Sequence, residues 1–525
     1  MDINYQELLK KNLTEQELYN LLLSAARIND TIMYVGRILQ RTAQQVPNRD
    51  ALIFKDRHVS YKELYARASV LSKQLQDRGI KKHDKVLVLI ENSIEFYVAY
   101  YAVLQAGCVV APLNTFLKET ELAHIINDAQ PALMITSPEF IAKLGNAPLP
   151  AYITTQDISI DTPVDMNATS TPIVDLQPND MAVLLYTSGT TGFPKGVMLS
   201  STNIMTSIAQ AIARIGTGLQ PDEKVFAVVP LFHSFAQNAC VWGSLFVGAT
   251  VILVAKIERR LIQEAMKHQP TIMLGVPALY GLFCLMKTLD FSSVKYFVCG
   301  GDALSDKIRM AFELVYQRRL CNGYGLSETS PTICVDLDDV LEPTSCIGKP
   351  LCGIECQIRD DSGMPVKRGQ IGELWVKGDN VMLGYYNAPE LTQATMNNGW
   401  FATGDLMYFD PNGKLVITGR IKDLIKSKGI KVYPQEIENV LLSHPQIIAA
   451  GVVGQADDQN GEIVIAFVQS RSAHDGLQDE LRELCKKNLA AYKVPNYFKI
   501  STVALPMTST GKVDKKQLRA QLKKD

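Results

Sequence analysis

Apolar residues along this chain keep two spacings, one helical and one alternating or continuous, and the switches between them mark out its elements. Near the start, Thr14-Glu-Gln-Glu17 reads as a capping box, and Leu18, Leu21, Leu22, Ala25 and Ile28 then fall on one helical face. Residues 1–35 are therefore expected to be a helical extension. With few basic residues, that face suits packing on the body of the protein better than lipid. From residue 60 onward, helical patterns alternate with short Val/Ile/Leu runs such as Lys85–Ile90, Ala132–Thr136, Ala249–Val254 and Lys295–Cys299. That alternation predicts α/β layers with largely parallel sheets.

Two stretches are apolar enough to invite comparison with membrane spans. Phe96–Leu113 is interrupted by Gln105, Gly107 and Pro112, which predicts a helix followed by a buried strand. Val225–Ala255 holds no Asp, Glu, Lys or Arg, yet Pro230, His233, Gln237 and Asn238 break it into buried strands around a helix. No transmembrane segment is expected, and at most peripheral membrane contact.

Beyond residue 350 the texture turns β-rich, with Gly353–Ile358, Gly372–Lys377 and Lys414–Thr418 as strands. Positive charge then gathers at Arg420, Lys422, Lys426, Lys428 and Lys431, which marks a hinge; for Lys431 a solvated face is explanation enough. The last hundred or so residues alternate strands (Ile447–Val453, Glu462–Gln469) with helices (Gln435–Leu442, Leu477–Leu489), as in a small α+β lid. The expected organisation is an extension over 1–35, a large domain over 36–419 with its β-rich part from about 350, and a lid over 420–525.

Composition narrows the class. A chain of 525 residues exceeds one ordinary core, and 47% hydrophobic with 20% charged residues describes a globular protein. A net charge of −1 gives no reason to expect nucleic acid or an anionic membrane as the main partner. The ten cysteines include no Cys-x-x-Cys pair, and Cys346, Cys352 and Cys356 cluster without a nearby histidine. Reduced, mostly buried thiols are expected. The opening Met-Asp-Ile-Asn-Tyr-Gln-Glu lacks the basic start and apolar core of a signal peptide, so the expected location is cytoplasmic.

The chemistry concentrates in Tyr186-Thr-Ser-Gly-Thr-Thr-Gly-Phe-Pro-Lys-Gly196, where Thr187, Ser188, Thr190 and Thr191 supply hydroxyls, Gly189 and Gly192 allow close backbone approach, and Lys195 adds an ammonium. Such a loop suits polyphosphate. Its Gly189-x-x-Gly192-x-x-Lys195 spacing is not that of the Walker loop. It follows the apolar run Met181–Leu185, which would hold it in place.

Six further motifs follow in order: Pro230-Leu-Phe-His-Ser234, Asn322-Gly-Tyr-Gly-Leu-Ser-Glu-Thr329, Gly372–Gly378, Trp400–Asp405, Gly419-Arg-Ile-Lys-Asp423 and Thr510-Gly-Lys512. With the hydroxyl-rich loop they resemble the adenylate-forming superfamily of acyl-CoA synthetases, amino-acid adenylation domains and beetle luciferases, over residues 36–515 or so. The resemblance implies a large N-terminal adenylation domain, a mobile C-terminal lid and a two-step reaction in which a carboxylate and ATP give acyl-AMP and pyrophosphate, and a thiol then displaces AMP.

The same resemblance implies roles for particular residues. Thr187, Ser188, Gly189, Thr190, Thr191, Gly192 and Lys195 would hold the β- and γ-phosphates, and Glu328 would hold Mg²⁺ on them, an oxygen ligand suiting that hard cation. Tyr324 would stack on adenine, Asn322 accept from its exocyclic amine, and Gly300 and Gly301 let backbone approach the base; Gly323, Gly325 and Ser327 belong to the same nucleotide-binding motif. Asp405 would bind the ribose hydroxyls, assisted by Arg420. Lys512 would reach the carboxylate and the oxygen it shares with phosphorus, and His233 would line the entrance for the acid. Lys422 matches the pivot of the lid, whose rotation would bring Lys426, Lys428 and Gly429 to the nucleotide and the coenzyme A thiol.

The substrate is expected to be a carboxylic acid other than an amino acid. Asp302 resembles amino-acid-activating relatives, but no acidic residue stands near Ser234 to pair with an ammonium, and an unpaired buried ammonium would be costly. The chain also stops 13 residues after Lys512, leaving no room for a fused carrier domain. The acyl pocket is expected from Phe232–Trp242, Gly275–Leu282 and Gly325–Ile333, with Trp242 either a gate or floor or plain core. Their apolar texture suits a medium- or long-chain fatty acid. An aryl acid is the alternative, since Leu424-Ile-Lys-Ser-Lys-Gly429 resembles the coumarate-ligase branch. A separate acyl carrier protein could replace coenzyme A as acceptor, although no extra segment blocking coenzyme A is evident between Glu328 and Asp405. A catalytically dead binding protein of the same fold is disfavoured by the presence of Glu328, Asp405, Arg420 and Lys512. Relatives are often dimers, so a homodimer is open.

Overall fold

The apolar runs that read as buried strands lie side by side in two large sheets. The computed structural model describes residues 13–145, 147–158, 160–166, 171–187, 193–216, 222–286, 288–337, 342–427, 430–457, 461–472, 474–507 and 513–522. Among these, one sheet has seven strands in the order Gly384–Tyr385, Lys195–Ser200, Met181–Thr187, Val109–Pro112, Lys85–Leu89, Leu133–Thr136 and Tyr152–Thr154. The other has eight: Thr332–Asp336, Cys321–Gly325, Tyr296–Cys299, Ile272–Gly275, Lys224–Ala227, Thr250–Leu253, Asp50–Phe54 and Arg57–Ser60. Their inner strands pair in parallel, as an alternation with helices requires, and antiparallel pairs occur at the margins.

The first apolar stretch is the helix Ile94–Gln105 followed by Val109–Pro112. Tyr97, Tyr100 and Tyr101 on that helix are fully buried, and each hydroxyl finds an acceptor on the segment 237–241: the Cys240 carbonyl, the Gln237 side chain and the Val241 carbonyl. The second stretch is the strands Lys224–Ala227 and Thr250–Leu253 around helical residues 234–247, which include a π-helical segment, Gln237–Gly243. The tyrosine hydroxyls of the first stretch are thus paired within the second, so neither stretch needs lipid. Among the described residues no helix is long and apolar enough to cross a membrane.

Thr14 caps the helix Glu15–Ala25 as the capping box requires, its hydroxyl accepting from the Glu17 N–H while Glu17 accepts from the Thr14 N–H. Leu18, Leu22 and Ala25 are buried against the body, chiefly the helix Ser201–Ile215. Ile28 departs from the expected helical face. The helix stops at Ala25, and Asn29 and Asp30 take positive φ to turn a two-strand hairpin, leaving Ile28 47% exposed. Helix periodicity overran a turn that needs residues tolerant of left-handed backbone.

A third sheet holds Glu355–Arg359, Gly372–Lys377, Met396–Asn397, Trp400–Phe409 and Leu415–Arg420, and a fourth holds Ile425–Ser427, Ile430–Val432, Ile447–Asp457, Gly461–Ser470 and Tyr497–Ser501. Arg420 ends the last strand of the third sheet and Ile425 begins the fourth, so the chain passes from one to the other through the short 3₁₀ turn Ile421–Asp423. The helices Pro434–Ser443 and Leu477–Asn488 give the fourth sheet its own core of Ile437, Leu441, Val464, Val468 and Leu481. Mixed α/β layers with a small α+β unit at the C-terminal end match the expected fold class.

Candidate active site

Met181–Thr187 and Lys195–Ser200 are antiparallel neighbours, with Thr187 opposite Lys195. The hydroxyl-rich loop is therefore the connection of a hairpin whose base the apolar strand anchors in the seven-stranded sheet. Ser188, Gly189, Thr190, Thr191 and Gly192 lie outside the described residues, as do Lys428, Gly429 and Lys512. At the base of the hairpin the Thr187 hydroxyl is buried with no hydrogen-bond partner among the described residues. An unpaired buried hydroxyl costs free energy, and a bound oxyanion is the partner that would relieve it.

Lys195 faces a residue that sequence reading missed. Its ammonium donates to the Tyr385 hydroxyl at 3.2 Å and sits 4.3 Å from the centre of that ring. Tyr385 in turn donates to Glu328 Oε1 at 2.8 Å. Burial, then the Glu328 carboxylate, pushes the Tyr385 phenol well up from its ordinary value, so it remains a donor. One hydroxyl thus separates an ammonium from a buried carboxylate. Tyr385 is held there by a strap: Asn203 donates to the Asp379 and Val381 carbonyls, Met382 N–H to the Glu328 carbonyl, Leu383 N–H to the Met198 carbonyl and Tyr386 N–H to the Gly196 carbonyl. The run Gly384-Tyr-Tyr-Asn387, an aromatic pair beside a glycine at φ 141°, was the available signal.

The remaining residues gather at the C-terminal ends of the parallel strands in the eight-stranded sheet. From Lys224–Ala227 the chain goes to Thr250–Leu253 on one side, then crosses to Ile272–Gly275 on the other, which makes a topological switch point. His233 follows the first of these strands, Gly300 and Gly301 follow Tyr296–Cys299, and Glu328 follows Cys321–Gly325. His233 is half-buried and caps the helix start, its Nδ1 accepting from the Phe235 N–H at 3.3 Å. Next to it, the Ser234 hydroxyl meets that of Ser327 at 3.0 Å, joining the two motifs. Gly325 must be glycine, because a Cβ there would lie 1.9 Å from the Pro331 carbonyl oxygen. Gly323 and Gly300 approach each other, and a Cβ on Gly300 would press Phe235 at 3.3 Å.

A second polar cluster adjoins the first. Asp405 is 1% exposed; it accepts from the Tyr324 hydroxyl at 2.5 Å, and Arg420 Nε lies 2.9 Å from its Oδ1. That last contact is an ion pair by distance without hydrogen-bond alignment, so Oδ1 keeps accepting capacity. Burial and Asp405 together hold the Tyr324 phenol well above its usual range. Asp405 foremost, then Tyr324, Asp423 and Glu328, raise the Arg420 guanidinium, which ties the two clusters into one field. Asn322 is buried and donates its amide N–H to the Thr344 carbonyl at 2.7 Å, leaving its amide oxygen as an acceptor. Lys422 and Lys426 are exposed beyond this cluster, on the turn and first strand leading into the fourth sheet.

The donor set fits the expected groups. A buried carboxylate beside a lysine and an orphan threonine hydroxyl suits a magnesium-bound polyphosphate, and a carboxylate with spare accepting capacity suits a ribose. Trp242 takes the core alternative: it is fully buried, and its indole N–H donates to the Tyr100 hydroxyl at 2.9 Å. Lys431 pairs with Asp361 at 2.7 Å on an exposed surface between the third and fourth sheets.

The family model of AMP-binding enzymes matches residues 39–386, and that of the AMP-binding enzyme C-terminal domain matches residues 436–512. A long-chain-fatty-acid–CoA ligase of Bacillus subtilis is 32% identical, covering 92% of this chain and 93% of the relative. A 4-coumarate–CoA ligase of Solanum tuberosum is 31% identical, covering 89% of each. Among solved structures, the o-succinylbenzoate coenzyme A synthetase of Bacillus subtilis, in complex with ATP and magnesium ion, superposes with a TM-score of 0.81 at 29% identity over 93% of this chain and 99% of that one.

Proposed function

The chain belongs to the AMP-binding enzymes and is an acid–CoA ligase working through an acyl-adenylate with ATP, Mg²⁺ and coenzyme A, and from that premise we propose how its residues do so. The observation that supports the reading most strongly is the Lys195–Tyr385–Glu328 chain set beside the Tyr324–Asp405–Arg420 cluster at the strand ends.

Thr187 and Lys195, with the hairpin loop, bind the β- and γ-phosphates. Glu328 would hold Mg²⁺, which would supply positive charge to the phosphates. Asn322 accepts from the adenine amine, Tyr324 lies along the base, and Asp405 accepts from the ribose hydroxyls with Arg420 beside it. The acid enters past His233. Its carboxylate oxygen bonds to the α-phosphorus as the bond from phosphorus to the bridging oxygen breaks, and pyrophosphate leaves with that electron pair. Both reactants are anions, so the step needs preorganised positive charge, which Lys195 and Lys512 supply. In the second step the coenzyme A sulfur, having lost its proton, bonds to the acyl carbon and AMP departs with the electrons of the acyl–oxygen bond. Rotation about Lys422 brings Lys426, Lys428 and Gly429 to that step in place of Lys512.

For the acid, the wall beside residues 232–242 favours a compact body such as an aryl acid. Trp242, Tyr97, Tyr100 and Tyr101 fill the space behind that helix and bond into it. A medium- or long-chain fatty acid is the second reading, favoured by similarity to the Bacillus subtilis ligase.

The test of the two-state lid is Lys512→Ala. Adenylation should fall by about a hundred- to a thousandfold, the effect of losing one charge-stabilising group, while supplied acyl-AMP is still converted to thioester. Equal loss, or equal survival, of both half-reactions would refute the assignment.

A further inference from the structure

Next to the site runs a buried polar seam that the reaction as described does not use. On the helix Ser201–Ile215, Gln210 is fully buried, and neither its amide oxygen nor its amide nitrogen has a hydrogen-bond partner among the described residues. The buried hydroxyls of Thr206, one turn earlier, and of Ser330 are likewise unpartnered. Asn238 links these residues in space, its amide donating to the Ser207 hydroxyl at 2.9 Å and to the Ser330 carbonyl at 3.0 Å. Ser330 is therefore within reach of the helix turn bearing Thr206, Ser207 and Gln210. The seam also adjoins the residues past which the acid is proposed to enter: Ser330 follows Glu328 by two positions, and Asn238 follows His233 and Ser234, the latter's hydroxyl meeting Ser327.

Four unpartnered polar atoms in one seam are anomalous, since almost all buried polar groups in folded proteins are paired. The helix does not need them for packing: Ile204, Met205, Ile208, Ala209 and Ile212 already form its buried apolar side. A pocket built for an alkyl tail would place apolar residues here, as an idle amide gains nothing from burial.

We propose that Gln210, with Thr206 and Ser330, reads a hydrogen-bonding group at the end of the acid remote from its carboxylate, so that the preferred substrate is a carboxylic acid bearing a distal hydroxyl or carbonyl. The inference rests on the acid-activating reading given above. Gln210 offers both a donor and an acceptor, while Thr206 and Ser330 can each do either, so the seam accepts a hydroxyl or a carbonyl without rearrangement of charge. A site that hydrogen-bonds its substrate rejects the analogue lacking that group, because its own polar atoms are then left unpaired.

The test compares two pairs of acids, phenylpropanoate with its para-hydroxy derivative and octanoate with ω-hydroxyoctanoate, scored as kcat/KM for acid-dependent pyrophosphate release by the full chain. The hydroxylated member of at least one pair should be preferred by about tenfold or more. Gln210→Leu should erase or reverse that preference, raising kcat/KM for the unsubstituted acid while lowering it for its partner. Thr206→Val carries the same comparison should Gln210→Leu not fold. Preference for the unsubstituted member in both pairs, or a variant that scales both members equally, overturns the inference and leaves the activity standing. Failure of every acid to release pyrophosphate overturns the activity itself, and this inference with it.

Discussion

Removing a single oxygen, Tyr385→Phe, isolates what the Lys195–Tyr385–Glu328 chain does. The ring and its contact with the ammonium at 4.3 Å are kept; the hydroxyl's donation to Glu328 at 2.8 Å and acceptance from Lys195 at 3.2 Å are lost. A hydrogen bond to a charged group is worth about 1.5–3 kcal/mol, which is roughly ten- to a hundredfold in an equilibrium constant. The loss is directed at nucleotide binding by geometry. Once the intervening hydroxyl is gone, the ammonium and the buried carboxylate can close on each other, and each then cancels the charge the other should offer to phosphate and to metal. Titration calorimetry with Mg·ATP should show affinity reduced by about ten- to a hundredfold, alongside a small fall in Tm. Unchanged Mg·ATP affinity, whether or not Tm moves, would refute the positioning role and leave Tyr385 as a packing residue.

Other expectations follow from single contacts. Asp405→Ala removes a buried carboxylate facing Arg420 and Tyr324, and should raise KM for ATP by about a hundredfold, with a smaller effect on kcat, in initial-rate assays. Gly325→Ala sets a methyl group against the Pro331 carbonyl, where neither backbone can yield; chemical denaturation should show a loss of about 3 kcal/mol or more. Burial pushes the Cys352 thiol up to about 11. Since only the thiolate reacts, its alkylation should be very slow at pH 8 and rise about tenfold per pH unit toward 10, followed by peptide mass spectrometry. Rapid modification at neutral pH would contradict that environment.

Much of the architecture was legible because local rules and burial agreed. The Thr14 capping box formed as read, and the interruptions at Gln105, Gly107 and Pro112 separated a helix from a strand where expected. Most of the failures originate in long-range geometry, and one in a local turn. Tyr385 meets Lys195 across 190 positions and Glu328 across 57, and no local pattern encodes either encounter. Trp242 could be read as gate or core until the partner of its indole N–H was known. A strand before the hydroxyl-rich loop could be seen in Met181–Leu185, but the return strand from Lys195 that closes the hairpin depends on pairing rather than propensity. Ile28 fell outside its helix because Asn29 and Asp30 tolerate the backbone of a tight turn.

The most direct measurement is the stoichiometry of ATP cleavage by the full chain, with Mg²⁺ and a broad set of carboxylic acids, in the presence and absence of coenzyme A. Acid-dependent formation of pyrophosphate, with AMP and thioester accumulating in equal amounts once coenzyme A is supplied, is the expected result. Cleavage to ADP and phosphate, or no cleavage with any acid, would contradict the account at its root.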